Sequence, residues 1–358
     1  MMRTIGSFAA LLAAACSSEG AIVPQPAPID THAFDMPRSF DAGTGGPTEK
    51  ERAAATSYAT ALASPGFGAL SPLLAADVHY FFPGIDDGRG RDGALGWHEQ
   101  LFGAFDARAF ALSRVSRTAN TQTLEWVMSG KQAKDFMGVP ATGKPVAIAG
   151  ATVLWTKDDG SITDIHTFFD VAVVKAQLGA GPTELASLPQ PSPPSAPPLI
   201  VDQSSSPLEE ANLKAVHTTI DDDLEKPAPE AYLDALSDDV EIRDAEHAQP
   251  SRGKADAKAW FAALHKSVGS LHSVVDNSWA MGGSVVVEYT LNGTQIAPLW
   301  FIPARPDRPV ALRLLEVIEL RDGKMARISR YGNPAQILQS GSVPPPLEVA
   351  DAGAKRHK

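Results

Sequence analysis

The chain of 358 residues contains one cysteine, Cys16, so no internal disulfide is available to staple its fold. It has no Lys- or Arg-rich run, and its formal charge of −11 is spread along the sequence. Phosphate backbones are neutralised by clustered cations, so nucleic acid is not an expected partner. Dispersed acidity of this kind serves solubility. No Gly-x-Ser-x-Gly elbow, His-Glu-x-x-His helix or Cys-x-x-Cys pair is present, which removes the signatures of three common chemistries. Asp86 and Asp87 sit in a Gly-rich turn without further ligands at metal spacing, and the Gly88 to Gly96 stretch lacks the Lys-Ser/Thr of a phosphate loop. Neither a metal nor a cofactor is expected.

What is present is an ordinary globular composition, 44% apolar and 20% charged. The length suggests two domains with linkers, at about 100–200 residues per domain. Arg3 followed by the apolar, small-residue run Ile5 to Ala15 reads as an export signal, too short to span a bilayer as a helix. Leu12-Ala13-Ala14-Ala15-Cys16 resembles a bacterial lipobox, in which the cysteine becomes the lipidated N-terminus. The leucine sits one place earlier than usual, which leaves a plain secretory signal as the alternative. The expected location is the cell envelope, lipid-anchored at Cys16, or else secreted or periplasmic. Residues 17–47, rich in Pro, Ala, Ser and Gly, read as a tether.

A first domain is expected over 48–181. The Ala-rich run from Thr48 favours helix and is stopped by Ser64-Pro65-Gly66. A short helix over Phe67 to Leu74, a strand over Val78 to Phe82, a turn at Asp86 to Gly90 and a helix over Asp92 to Phe105 follow. In that last helix Trp97, Leu101 and Phe105 recur every four residues and mark an inward face. Strands are expected within Arg114 to Gly130, at Pro145 to Lys157 and at Ile162 to Phe169.

The stretch Thr123 to Gly179 carries Trp126, Gly130, the run Phe136 to Lys144, Asp159-Gly160-Ser161-Ile162, Asp170 and Gln177-Leu178-Gly179. In that order these residues resemble the C-terminal half of SnoaL-like domains, the polyketide-cyclase branch of the NTF2-like superfamily. The resemblance implies an α+β cone: N-terminal helices wrapped by a curved antiparallel sheet that encloses a pocket. It also implies that an Asp at the position of Asp170 can move a proton from carbon without metal or cofactor, although the family includes pockets without known chemistry.

Pro-rich residues 182–207 read as a semi-extended spacer, because proline is excluded from helix interiors and central strands. Residues 208–341 then repeat the first domain at a constant shift of 163: Trp97 falls on Trp260, Leu101 on Leu264, Glu125-Trp126 on Glu288-Tyr289, Gly130 on Gly293 and Asp159-Gly160 on Asp322-Gly323. Two tandem NTF2-like cones are therefore expected, followed by a disordered tail at 342–358. In the second copy Asp170 becomes Asn333 and His166 becomes Ser329, so that copy is expected to be degenerate. Many single-domain relatives dimerise through the convex side of the sheet, which implies an intramolecular pseudo-dimer for a tandem chain.

Alternation places Ile162, Asp164, His166, Phe168 and Asp170 on one face of the last strand, taken as the face lining the cone. Asp170 is the candidate general acid/base, with a pKa raised by an apolar cavity. Its alternative role is to cap the segment Val171 to Leu178. His166 is the second catalytic candidate, roughly 13 Å away along the strand and so not a dyad partner. Trp97, Trp126, Phe136, Asp164 and Phe168 are the candidate ligand-binding wall. Two functions remain open: an anchored protein that binds a small apolar molecule, and a cofactor-free cyclase or isomerase working through Asp170.

Overall fold

The computed structural model describes residues 49–338, apart from the side chains of Glu51 and Asp86. Cys16 and the segments expected at 1–16, 17–47 and 342–358 lie outside the described residues. The first domain opens with α1 (Glu49–Ala63) and a 3-10 turn at Gly68–Leu73. Then come β1 (Leu74–Phe82), β2 (Ile85–Arg89), α2 (Arg91–Phe102), β3 (Phe105–Arg117), β4 (Thr121–Gln132), β5 (Pro145–Thr156), β6 (Ile162–Phe168) and α3 (Val171–Leu178). The Pro-rich segment contributes β7 (Leu199–Asp202). The second domain comprises α4 (Pro207–His217), α5 (Glu230–Asp234), β8 (Leu236–Arg243), β9 (Ser251–Arg252), α6 (Gly253–Ser267), β10 (Val268–Met281), β11 (Ser284–Gln295), β12 (Arg308–Arg321) and β13 (Lys324–Gly332).

The sheets run β2-β1-β6-β5-β4-β3-β7 and β10-β11-β12-β13-β8-β9. Both are mixed: β1 runs parallel to β6, β8 to β13, and β7 to β3, while the remaining pairs are antiparallel. The spacer is thus not wholly free of regular structure. Its four proline-free residues Leu199–Asp202 pair at the sheet edge, where Arg117 clamps Asp202 with two bonds of 2.7 and 3.1 Å. Ser206 ends it as the N-cap of α4 in a reciprocal bond with Glu209, and Pro207 occupies the first turn. The expected turn at Asp86 to Gly90 is largely the short strand β2, and the expected helix at Phe67 to Leu74 is a 3-10 turn containing Pro72.

The repeat extends to local detail. Phe136 and Val139 form an isolated bridge, as do Leu299 and Ile302 at the shifted positions, with Met137 and Trp300 each at positive φ (44° and 51°). Gln132 ties the first bridge to Val139 O at 3.0 Å, and Gln295 ties the second to Pro303 O at 3.0 Å. One backbone design therefore persists although the residues within it differ.

Each domain has its own core. A third apolar cluster joins them, with Phe81, Val153 and Phe168 from the first sheet against Trp279, Val286, Leu315 and Val317 from the second. The residues making this contact lie on the faces turned away from the two cores. Trp155 and Trp279 meet edge to face at 5.9 Å. Around them, Arg114 Nη1 donates to Glu319 at 2.7 Å, and Tyr331 OH donates to Glu125 Oε1 at 2.7 Å. Asn333 Nδ2 donates to Pro83 O at 2.8 Å.

Candidate functional site

The last strand of the first domain does not keep a single parity. Trp155 pairs with Asp164 but Thr156 pairs with Ile162, so Thr163 is an extra residue, a bulge that turns the strand over. Ile162 faces the core as expected, but beyond the bulge the core-facing residues are Ile165 and Phe169. Thr167 joins them, bonded to Thr152 at 3.1 Å. Asp164, His166, Phe168 and Asp170, expected to line the cone, are turned out of it, three of them towards the second domain.

His166 Nδ1 donates to the Glu288 carboxylate at 2.9 and 3.1 Å, and Asn277 Nδ2 donates to the same carboxylate at 2.8 Å. Phe168 belongs to the interdomain apolar cluster. Asp164 lies 3.3 Å from His79 Nδ1, whose Nε2 is 3.1 Å from Asp87. Burial acts against a charge on His79, but its bonds to Asp164 and Asp87 outweigh that and raise its pKa above 6.5. A raised folded pKa means that the stabilisation is complete below about 6.5 and is lost as pH rises through the folded value. The thermal midpoint of wild type should accordingly exceed that of His79→Gln at about pH 6 and converge on it by about pH 8.5. A pH-independent difference would remove this charge cluster from the account.

Asp170 is 3% exposed, and its Oδ1 accepts from Ala172 N at 2.7 Å and Val173 N at 3.1 Å, which makes it the N-cap of α3. Burial raises its pKa, and the nearby Asp244 acts in the same direction. Its other oxygen faces Glu246 of the second domain and not the cone.

The cone of the first domain is instead lined by aromatic rings and neutral polar groups. Trp126 Nε1 donates to Thr152 Oγ1 at 3.0 Å, Thr152 meets Thr167, and Thr167 lies against the Tyr58 hydroxyl. His98 Nδ1 is 2.6 Å from Ala94 O, an acceptor only, so this nitrogen carries the hydrogen. Its Nε2 therefore accepts from Tyr58 OH at 2.8 Å. Burial pushes the His98 pKa down to about 4, so the ring is neutral at physiological pH. Phe102, Phe105, Phe136 and Phe169 complete the shell together with Trp97 and Trp126. Gly150 is required by this packing, because a Cβ there would stand 2.5 Å from the Trp126 ring and 2.9 Å from Phe168 O. Of the residues expected in the wall, Trp97, Trp126 and Phe136 are in it, each no more than 3% exposed. Tyr58, His98, Thr152 and Thr167 carry no motif in the sequence and are recognisable only by their shared inward face.

The second cone is the charged one. Arg330 and Glu316, 8% and 4% exposed, stand where the first domain has Thr167 and Thr152. Arg330 Nε donates to Glu316 Oε1 at 2.6 Å, Tyr289 OH donates to the same oxygen at 2.9 Å, and the guanidinium lies 4.0 Å over Trp260. Tyr232 is pushed up to about 12 by burial. The buried ion pair therefore lies in the second cone, the copy expected to be degenerate. Asn333 and Ser329, whose replacement suggested degeneracy, occupy the outward parity, whereas Glu316 and Arg330 occupy the inward one.

The model of the SnoaL-like domain family matches residues 55–165 and again 217–328. The chain belongs to the SnoaL-like domain family and carries the domain twice. Among solved structures it is similar to a protein from Jannaschia sp. CCS1 described as a SnoaL-like polyketide cyclase, at 22% identity and a TM-score of 0.34 over 40% of this chain and 99% of that one. It is also similar to IdmH of Streptomyces antibioticus, described as a polyketide cyclase, at 25% identity and a TM-score of 0.32 over 36% and 98%. A third is a Catenulispora acidiphila protein with a ketosteroid isomerase-like fold in complex with trimethylamine, at 24% identity and a TM-score of 0.31 over 38% and 97%. No curated protein matches the chain. SnoaL/NTF2-like domains form a family of ligand-binding, cyclase and isomerase folds, and the two α+β domains here are of that kind.

Proposed function

We propose that the protein is an exported SnoaL-like binding protein, attached to the cell envelope through Cys16, that takes a small apolar molecule into its first cone. The observation that carries this reading is Trp97 Nε1, a buried donor without a hydrogen-bond partner within an uncharged aromatic shell. An unpaired buried donor costs about 1–3 kcal/mol, a cost that a ligand with one acceptor on an apolar body would remove. Side chains fill the cone, so entry requires part of the shell to move. Phe110, Leu112 and Met137 are among the partly buried residues packed against it, less enclosed than the rest of the shell. No helix among the described residues is long and apolar enough to cross a membrane, so attachment in this reading rests on the lipid at Cys16. The tandem arrangement takes the place of a homodimer, since the outer faces that carry His166, Phe168 and Glu288 meet within one chain.

The second reading, a cofactor-free cyclase or isomerase, is favoured by the raised pKa of Asp170. The direction of its carboxyl, capped on one oxygen and facing Glu246 on the other, opposes it. Titration with the apolar fluorophore N-phenyl-1-naphthylamine tests the binding reading. Saturable binding at one site per chain is expected, weakened about tenfold by Ala substitution of Trp126, whose ring wall the probe would contact. Absence of saturable binding, or equal affinity in Trp126→Ala, would overturn it.

A further inference from the structure

Four groups at the junction of the domains play no part in the binding reading. The loop between β8 and β9 gathers Asp244, Glu246 and His247 so that one ligand atom from each lies within 4.8 Å of the others. Donor atoms around an ion bound at about 2.1 Å stand roughly 3–4 Å apart, so small adjustments would let all three reach one ion. From the other domain, Asp170 presents Oδ2, a buried oxygen without a hydrogen bond, on a residue only 3% exposed. Asp170 interacts with the Glu246 side chain, and Asp244 is near enough to act on its charge. Across the pseudo-twofold the acidic pair is replaced by a neutral one, Asn333 Nδ2 donating to the Pro83 carbonyl at 2.8 Å, although Asn333 Oδ1 is likewise buried without a hydrogen bond.

Three carboxyl groups brought together oppose one another when ionised. The nearby Arg330 offsets this only in part, its Nε being taken by Glu316 at 2.6 Å. We propose that Asp244, Glu246 and His247, faced by Asp170, form a divalent metal site that ties the two domains together. One imidazole with carboxylates is a donor set suited to zinc or manganese. His247 is exposed and Asp244 and Glu246 partly so, which gives an ion a path from solvent. His247 Nδ1 now donates to Asp244 Oδ1 at 2.5 Å, and this contact opens to admit the ion.

The test is calorimetric titration of the full, tag-free chain with zinc chloride and with manganese chloride after chelator treatment. One ion per chain is expected, with a thermal midpoint that rises with metal. His247→Ala and Asp244→Asn should each weaken binding at least tenfold, Asp170→Asn several-fold, and the exposed control Asp159→Asn not at all. Circular dichroism of the metal-free variants verifies their fold. Should a variant misfold, the wild type decides: zinc must shift the His247 ring resonances, identified by their loss in His247→Gln. Non-saturable binding, unchanged affinity in the three variants, or an unmoved His247 ring would overturn the proposal.

Discussion

Glu316→Leu should destabilise the second domain by about 3–5 kcal/mol, because it leaves the Arg330 guanidinium buried without its carboxylate. Glu316 accepts from both Arg330 and Tyr289, so two donors lose their partner at once. Stacking on Trp260 remains but cannot replace a charged hydrogen bond. The double substitution Glu316→Leu with Arg330→Met should recover most of the loss, since a well-packed apolar pair is often as stable as a buried ion pair. Denaturant midpoints of the single and double variants measure this. Equal losses in the single and double variants would mean that the pair is not coupled.

The second large effect is expected across the interdomain contact. Replacing His166 by leucine leaves Glu288, 2% exposed, with Asn277 as its remaining side-chain donor, and should cost about 3 kcal/mol or more. Glu288→Leu alone removes the acceptor of a buried imidazole and should cost about 1–3 kcal/mol. If the bond seen at 2.9 Å is a main tie between the halves, the double variant should lose far less than the sum of the two. Additive losses would place His166 and Glu288 in independent roles. The same cycle bears on catalysis, since a histidine committed to a carboxylate of the other domain is not available to a ligand in the first cone.

Much of the architecture is legible in the sequence because it rests on periodicities that chain order preserves. The constant shift of 163 exposes the repeat, and Trp97 and Leu101 at four-residue spacing identify a helix face that is indeed buried, whereas Phe105, expected on the same helix, opens β3. The candidate site was less legible, for a local reason. One bulged residue, Thr163, exchanges the inside and outside of β6, and every later residue on that strand changes face with it. Alternation counted from Ile162 puts His166, Phe168 and Asp170 inside the cone, because it cannot register an extra residue. The ion pair in the second cone escaped for a related reason. Arg330 and Glu316 become neighbours only when β12 and β13 pair, and a comparison of positions held by Asp170 and His166 never reaches them. The segment Asp244 to His247 offers no metal motif in isolation, and Asp170, which interacts with Glu246, comes from the other domain.

The central claim is that the outward-turned charges leave the first cone a neutral, aromatic interior that opens to hold an apolar molecule without transforming it. Native mass spectrometry of the full chain, purified without detergent, tests it most directly when wild type and Asp170→Asn are compared. The account predicts the same small apolar molecule on both proteins at equal occupancy, released unchanged on unfolding. An empty chain, or a molecule converted by wild type and accumulated intact on Asp170→Asn, would contradict it.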